Sequence, residues 1–243
     1  MSDENPINEA AKSGDLDLLI RLRETFEWNE KTFTIAARFG HLNILRYLYE
    51  NGCPSNWDAG AWITVNGHLE CLKYLYEKGY EFNEYHTRNV SSNGHLECLR
   101  FLYENGCPIS AKSAMRAVVE GKIECLRFLY GNGCPIENFT VSSAARGGHF
   151  EILQYLILNN CPYDIKGILI GLSYQTSKIN FDTCYWLRSF LFPHVDSDKM
   201  PENLKTFCKE KLYQIELEKE TSKEQLQNIL SLDVVKYCLH NYI

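Results

Sequence analysis

The feature that most constrains this chain is a set of five glycines spaced 27 residues apart. They are Gly40, Gly67, Gly94, Gly121 and Gly148. Each opens a near-copy of one phrase, so that Gly67 begins Gly-His-Leu-Glu-Cys-Leu-Lys-Tyr-Leu-Tyr-Glu-Lys-Gly and Gly94 begins Gly-His-Leu-Glu-Cys-Leu-Arg-Phe-Leu-Tyr-Glu-Asn-Gly. A strict period of this length is typical of stacked repeats, because one unit cannot bury its apolar face alone. The sequence therefore predicts an all-α solenoid of helix-turn-helix repeats. A weaker copy begins at Gly14, 26 residues before Gly40, and we interpret it as an N-terminal cap.

Composition and charge limit the kind of partner. Hydrophobic residues make up 45% of the chain and charged residues 23%, which are ordinary proportions for a globular protein, and no apolar stretch is long enough to span a bilayer. The net charge of −6 disfavours a nucleic-acid surface, which needs clustered Lys and Arg. The N-terminal residues are acidic and polar, unlike a secretory signal. We expect a monomer in the reducing cytoplasm with a protein partner, no nucleic acid, no membrane contact and no cofactor.

The ten cysteines favour neither zinc nor disulfides. Their gaps are long, whereas zinc knuckles place cysteines two to four residues apart. Cys107 and Cys134 are one repeat apart, so stacked helices would hold them about 8–10 Å from each other, too far for an unstrained disulfide. Cys71, Cys98 and Cys125 recur at one apolar helix position, where a thiol acts as a small hydrophobe. We expect buried, unreactive thiols.

The second helix of each repeat has a clear amphipathic pattern, from Leu69 to Glu77 in one copy. Its predicted apolar stripe comprises Leu69, Cys71, Leu72, Leu75 and Tyr76. Glu70 and Lys73 lie on the opposite face, which we interpret as solvent-exposed. The helix is predicted to end at a glycine that adopts the left-handed C′ conformation. These glycines are Gly52, Gly79, Gly106 and Gly133.

The first helix of each repeat begins after the preceding proline and is about ten residues long. Its predicted N-caps are Asn29, Asn56, Asn83 and Ser110. Counting back from each of the five glycines, positions eight, seven, four and three carry mostly small or apolar residues, such as Ala36 and Ala37. A helical wheel puts these four positions on one side and positions nine, six, five and two on the other. We call the second set the first-helix face.

The first-helix face differs most between repeats and mixes aromatic residues with arginines. Protein interfaces are enriched in Trp, Tyr, Phe, Met and Arg, whereas solvated helix faces seldom collect them. The predicted partner-binding residues are Arg38, Trp62, Tyr85, Arg88, Lys112, Met115, Arg116, Phe139 and Arg146. For Trp62, Met115 and Phe139 the alternative is that each side chain leans into the core between repeats.

These motifs resemble ankyrin repeats. The resemblance rests on the paired helices, on Ala-Ala followed by Arg38 or Arg146, and on Gly-His-Leu-Glu-x-Leu-x-x-Leu, and it covers residues 4–163 in about six copies. Residues 5–7, Asn-Pro-Ile, are similar to part of the family's Thr-Pro-Leu-His start. The period is six residues shorter than the family's 33, and the inner repeats lack the Thr-Pro-Leu-His segment. The short form is similar to the ankyrin sets that giant viruses of amoebae encode, which would place the protein in the host cytoplasm.

The resemblance implies a protein-binding scaffold without catalysis, whose concave surface is built from the first helices. It also implies that the histidine after each repeat glycine braces the turn between the two helices. These residues are His41, His68, His95 and His149. One repeat apart, they are too distant from each other to share a metal.

The regular pattern decays after residue 163. Residues 164–196 contain a degenerate seventh copy, because residues 181–187 and Pro193 match residues 150–156 and Pro162 at a shift of 31. The shift places a four-residue insertion near residues 175–178. Residues 197–243 are predicted to form a helical cap over the last apolar face, and the alternative is a second binding domain.

Three classes of function can be compared. A binding scaffold explains both the repeat and the variable face. An adaptor, in which residues 197–243 recruit machinery such as a ubiquitin ligase while the repeats select a target, has no motif that demands it. An enzyme is disfavoured, because the sequence has neither a phosphate loop nor paired catalytic carboxylates, and no cysteine departs from the repeat pattern in a pocket-like context.

Overall fold

The computed structural model describes residues 5–174, and these contain thirteen α-helices and no β-strand. The chain divides into two compact units, Met1–Pro135 and Ile136–Ile243. The helices of unit 1 are α1 Pro6–Ser13, α2 Leu16–Leu22, α3 Glu30–Phe39, α4 Leu42–Glu50, α5 Asp58–Asn66, α6 Leu69–Glu77, α7 Glu84–Asn93, α8 Leu96–Glu104, α9 Ala111–Val119 and α10 Ile123–Gly131. Those described in unit 2 are α11 Asn138–Gly147, α12 Phe150–Leu158 and α13 Ile165–Ser173.

Unit 1 is an α-solenoid of five helix pairs. The first helices α1, α3, α5, α7 and α9 pack side by side in that order, and the second helices α4, α6, α8 and α10 do the same. Each first helix also packs against the second helix of its own pair, as α3 does against α4. The core lies between these two layers, and each pair is closed by its neighbours, as the repeat predicted.

The helical-wheel prediction for the first helices is confirmed. In α3, α5, α7, α9 and α11 the residues eight, seven, four and three positions before the glycine are all buried, whereas no residue of the first-helix face is buried. The small residues at the buried positions, such as Ala36 and Ala37 with 0% exposure, allow neighbouring helices to approach closely.

The buried stripe of α6 differs from the prediction at three positions, and at the first of them Leu69 is half-buried rather than buried. Cys71, Leu72 and Leu75 are buried as expected, but Tyr74 is 6% exposed and Tyr76 is 38% exposed. The inclusion of Tyr76 in the stripe was therefore wrong. The ring of Tyr74 lies edge-on to that of Tyr49 in the preceding repeat, with 6.0 Å between centroids, so the neighbouring repeat decides which tyrosine is covered.

The charged side of the second helices is exposed and internally paired. Lys73 contacts Glu70 at 2.8 Å, and the same pair recurs as Arg100 with Glu97 and as Arg127 with Glu124, both at 3.7 Å. Exposed pairs at this spacing stabilise a helix by only about 0.2–0.5 kcal/mol each.

Two of the four predicted N-caps act as side-chain caps. Asn29 and Asn83 cap α3 and α7 with capping boxes. Ser110 occupies the N-cap of α9, but its hydroxyl donates to a carboxylate oxygen of Glu84 at 2.8 Å instead. The prediction for Asn56 was wrong, because Trp57 is the N-cap residue of α5. The Asn56 side chain is engaged by the preceding repeat, where it accepts from the Thr34 hydroxyl at 3.1 Å.

In unit 2, α11 packs against α12 and α13. Ile168 and Leu172 of α13 are fully buried, and the backbone of α13 approaches α11 so closely that a Cβ on Gly171 would lie 2.8 Å from the Arg146 backbone nitrogen. Helix α13 falls in the first part of the predicted degenerate repeat. The rest of that repeat, the predicted insertion near residues 175–178 and the predicted cap at 197–243 lie outside the described residues. None of the helices described is long and apolar enough to cross a membrane.

Candidate functional site

The first-helix face of unit 1 is the side of α3, α5, α7 and α9 that the helix pairs leave open to solvent. It carries seven of the nine predicted partner-binding residues: Arg38, Trp62, Tyr85, Arg88, Lys112, Met115 and Arg116. The other two, Phe139 and Arg146, lie on the same face of α11 in unit 2. Their role in binding a partner stays a prediction.

The three residues for which a core position was the alternative are not buried. Trp62 and Met115 are half-buried, and Phe139 is 49% exposed. Trp62 is covered from outside by Arg38, whose guanidinium carbon lies 4.3 Å from the centre of the indole ring. This cation–π contact joins α3 to α5 and leaves both side chains at the surface.

A second aromatic cluster joins α5 to α7. The guanidinium carbon of Arg88 lies 5.2 Å from the centre of the Tyr85 ring, and Trp57 meets the same ring edge-on at 6.1 Å between centroids. Trp57 is 64% exposed and is not among the predicted partner-binding residues. The sequence does mark Trp57 as unusual, because it is an aromatic residue ten positions before Gly67. The equivalent positions of α3 and α7 carry Glu30 and Glu84.

Trp57 and Tyr85 border an open cavity of about 580 Å³ at the N-terminal ends of α5 and α7. Its lining comprises Ser55, Asn56, Trp57, Tyr80, Glu81, Asn83, Tyr85 and His86. His86 is only 3% exposed, and its Nδ1 lies 3.1 Å from both the backbone nitrogen and the side-chain oxygen of Asn83. Its Nε2 has no hydrogen-bond partner within residues 5–174. Burial therefore lowers the pKa of His86 to about 4.

The lowered pKa of His86 predicts a loss of stability in mild acid. In the unfolded chain the pKa of His86 is near the ordinary 6.5, so the unfolded state binds a proton at a pH where the folded state does not. The contribution of His86 to the free energy of unfolding is therefore fully present above about pH 6.5 and is lost as the pH falls towards 4. Between pH 7 and pH 5 we expect this residue to remove about 2 kcal/mol from the free energy of unfolding. Urea denaturation at both pH values measures it.

Thr32 offers the matched control for His86, because it occupies the same position in α3 and accepts the same backbone N–H from Asn29. The variant His86→Thr should keep the capping box and lose about 2 kcal/mol less than the wild type between pH 7 and pH 5. Equal losses in the two proteins would contradict the assignment.

Lys112 and Arg116 on α9 differ from the two arginines that lie over rings. Both are exposed, and neither has a carboxylate within 4.0 Å among the residues described. Within residues 5–174 they are therefore cations without a paired carboxylate.

Phe139 and Arg146 belong to a separate surface in unit 2. Both line a second open cavity of about 400 Å³ on α11 and the segment that leads into α13. Its remaining lining residues are Asn138, Ser142, Ser143, Asp164 and Gly167.

The structural role that the resemblance implies for the repeated histidines is seen for three of them, which contact the end of the first helix in the preceding repeat. Nε2 of His41, His68 and His95 lies 2.9–3.0 Å from a backbone carbonyl oxygen of the preceding repeat, that of Lys12, Arg38 and Val65 respectively. His149 occupies the equivalent position at the start of α12. In the described part of the chain, no group of three or more His, Cys, Asp or Glu residues is placed to hold a metal ion.

The cysteines of residues 5–174 are free and buried. Burial raises the pKa of Cys71 to about 12 and the pKa values of Cys98 and Cys125 to about 11. Because the thiolate is the nucleophile, a raised pKa makes these thiols unreactive at neutral pH.

Comparison with known proteins agrees with this geometry. Residues 7–86 match the family model for ankyrin repeats, in three copies. The crystal structure of the human ASB11 ankyrin repeat domain is similar with a TM-score of 0.57 and 20% identity, and the match covers 63% of this chain and 83% of that one. No curated protein matches the chain.

Proposed function

Since residues 7–86 are ankyrin repeats and the described helix pairs have the ankyrin fold, we propose that this protein is a non-enzymatic scaffold that binds a partner protein through its first-helix face. Ankyrin repeats are generally protein–protein interaction modules, and the family is generally non-enzymatic. We propose a cytoplasmic location, with residues 4–163 forming the repeats, 164–196 a degenerate repeat and 197–243 a terminal cap.

The observation that carries the proposal is the pair of arginine–aromatic stacks on the first-helix face. Arg38 over Trp62 and Arg88 over Tyr85 are held by cation–π contacts at the surface, so their side chains lose little further freedom when a partner binds. Trp, Tyr and Arg are also the residue types that dominate binding energy at interfaces. The exposed Trp57 extends the cluster around Tyr85.

The experiment that tests the proposal is capture of partners from cytosol by the full chain and by a folded triple variant, Trp62→Ala, Arg88→Ala and Arg116→Ala. A matched control triple, Tyr76→Ala, Arg100→Ala and Arg127→Ala, removes one aromatic and two arginine side chains from the second helices, which lie on the other layer. A protein retained by the wild type and the control but lost by the face variant supports the proposal. Equal retention by all three contradicts it and moves the search to residues 197–243, the segment of an adaptor.

Once a partner protein is identified, a single substitution on the first-helix face should measurably lower its binding affinity. Trp62→Ala is expected to weaken binding by about 2 kcal/mol, or roughly 30-fold in Kd, because it removes the ring that Arg38 covers. Isothermal titration calorimetry measures the change, and circular dichroism checks that the fold is intact. A change of less than about twofold would contradict a central role for Trp62.

A further inference from the structure

The first-helix face of unit 1 has a charge opposite to that of the whole chain. The sixteen face positions of α3, α5, α7 and α9 carry five basic residues and one acidic residue. The acidic residue is Asp58, and the basic residues are Lys31, Arg38, Arg88, Lys112 and Arg116. The chain as a whole has 31 acidic and 25 basic residues. Basic charge is therefore concentrated on this face.

Three basic residues of the second helices are paired with a glutamate, whereas Arg46 of α4 lies over the ring of Tyr74, 5.2 Å from its centre. Lys73, Arg100 and Arg127 each contact the glutamate three residues earlier on the same helix. On the first-helix face, Lys31, Lys112 and Arg116 have no such carboxylate within 4.0 Å in the described residues. Carboxylate pairing therefore occurs in α6, α8 and α10, and at none of the five cations of the first-helix face among the described residues.

The remaining two cations lie over aromatic rings, Arg38 over Trp62 and Arg88 over Tyr85. A ring orients a guanidinium without neutralising its charge, and it leaves the N–H groups at the edge of the guanidinium free to donate to a carboxylate. The face therefore offers oriented donors beside apolar surface from Trp62, Tyr85 and Met115.

We propose that the first-helix face of unit 1 binds an acidic segment of a partner protein, one in which Asp and Glu alternate with apolar side chains. This inference rests on the proposed function and adds the chemistry of the partner. Carboxylates would accept from Lys112, Arg116, Arg88 and Arg38, and the apolar side chains would cover the exposed rings. A nucleic acid fits less well, because five cations spread over four helices among apolar side chains do not form a phosphate track, and the net charge of −6 repels a polyanion.

The test is selection of a random peptide-display library on the purified full chain. We expect the selected peptides to carry about three or more net negative charges, and synthetic copies of them to bind more weakly at 500 mM than at 50 mM NaCl, since salt screens exposed charges. The variant Lys112→Gln with Arg116→Gln should weaken their binding about tenfold or more. The control Lys73→Gln with Arg100→Gln removes the same charge from the second helices and should change binding less than about threefold.

Each other outcome would overturn the inference in a distinguishable way. Neutral or basic peptides whose binding depends on Trp62 would leave the proposed function intact and show the partner chemistry to be wrong. Acidic peptides that bind both charge variants equally would place the site elsewhere. Failure to select any peptide would exclude a short acidic segment, while the capture experiment still tests the scaffold. A single-stranded oligo(dT) of 20 nucleotides that outcompetes the peptides and depends on Lys112 and Arg116 would favour nucleic acid instead.

Discussion

Replacing Gly60 by alanine is expected to lower the free energy of unfolding by about 3 kcal/mol. The same change inside a helix usually stabilises by about 1 kcal/mol, because glycine is a poor helix former. Gly60 lies in α5, is buried, and faces the ring of Tyr80, so a Cβ added to it would lie 2.5 Å from a ring carbon and 2.6 Å from the hydroxyl oxygen. Tyr80 is held there by donating to the Trp57 backbone carbonyl at 2.5 Å. The alanine therefore has to displace a bonded side chain.

A double-mutant cycle with Tyr80→Cys isolates this clash. Repeat five already pairs Ala114 with Cys134 at the same two positions, and repeat two pairs Phe33 with Cys53. In the Tyr80→Cys background we expect Gly60→Ala to stabilise the protein by about 1 kcal/mol, which reverses its sign. Urea denaturation of the four proteins gives the coupling energy. The same effect of Gly60→Ala in both backgrounds would show that Tyr80 does not explain the glycine.

The exchange of residues in the third repeat preserves a contact between the end and the start of one repeat. The thiols of Cys53, Cys107 and Cys134 each donate to a backbone carbonyl near the start of the first helix in their own repeat, at 3.4, 3.4 and 3.0 Å. The longer Tyr80 reaches the Trp57 carbonyl in place of a cysteine. In the third repeat Gly60 replaces a larger residue and Tyr80 replaces a cysteine. Together the two changes keep both the hydrogen bond and the packed volume.

The sequence predicted the features that depend on period and helix geometry alone. A repeat of 27 residues and a helix of 3.6 residues per turn predict which side of each first helix is buried. They also predict that Arg38 is exposed, and the structure shows both. The ankyrin resemblance rested on the same periodicity, which the family model detects over residues 7–86.

The features that the sequence did not predict depend on contacts between neighbouring repeats. Tyr74 and Tyr76 are both tyrosines on one helix, and Tyr74 is the buried one because Tyr49 and Arg46 of the preceding repeat lie against its ring. Asn56 has the chemistry of an N-cap, but its amide group is engaged by Thr34 of the preceding repeat. Trp57 lies at a position where the other repeats carry unrelated residues, so the repeat pattern does not predict its role.

Replacing Gly40 by alanine is expected to cost about 3–4 kcal/mol of unfolding free energy, of which about half arises from a contact with the next repeat. Gly40 has φ of 74°, a left-handed conformation that costs other residues about 1–2 kcal/mol. An added Cβ would also lie 2.5 Å from Nδ1 of His68, whose Nε2 is bonded to the Arg38 carbonyl oxygen at 2.9 Å. The histidine brace and the glycine therefore form one interlocking contact between repeats.

Gly52 is the matched control for Gly40, because its φ of 76° is nearly the same and a Cβ there would meet nothing within 4 Å. Gly52→Ala should cost only the backbone strain of about 1–2 kcal/mol, and Gly40→Ala should cost no more than that once His68→Ala has removed the ring. Chemical denaturation of these variants separates the two contributions. Equal losses for Gly40→Ala and Gly52→Ala in the wild-type background would mean that the left-handed turn alone requires glycine, and that the histidine brace yields to a Cβ without cost.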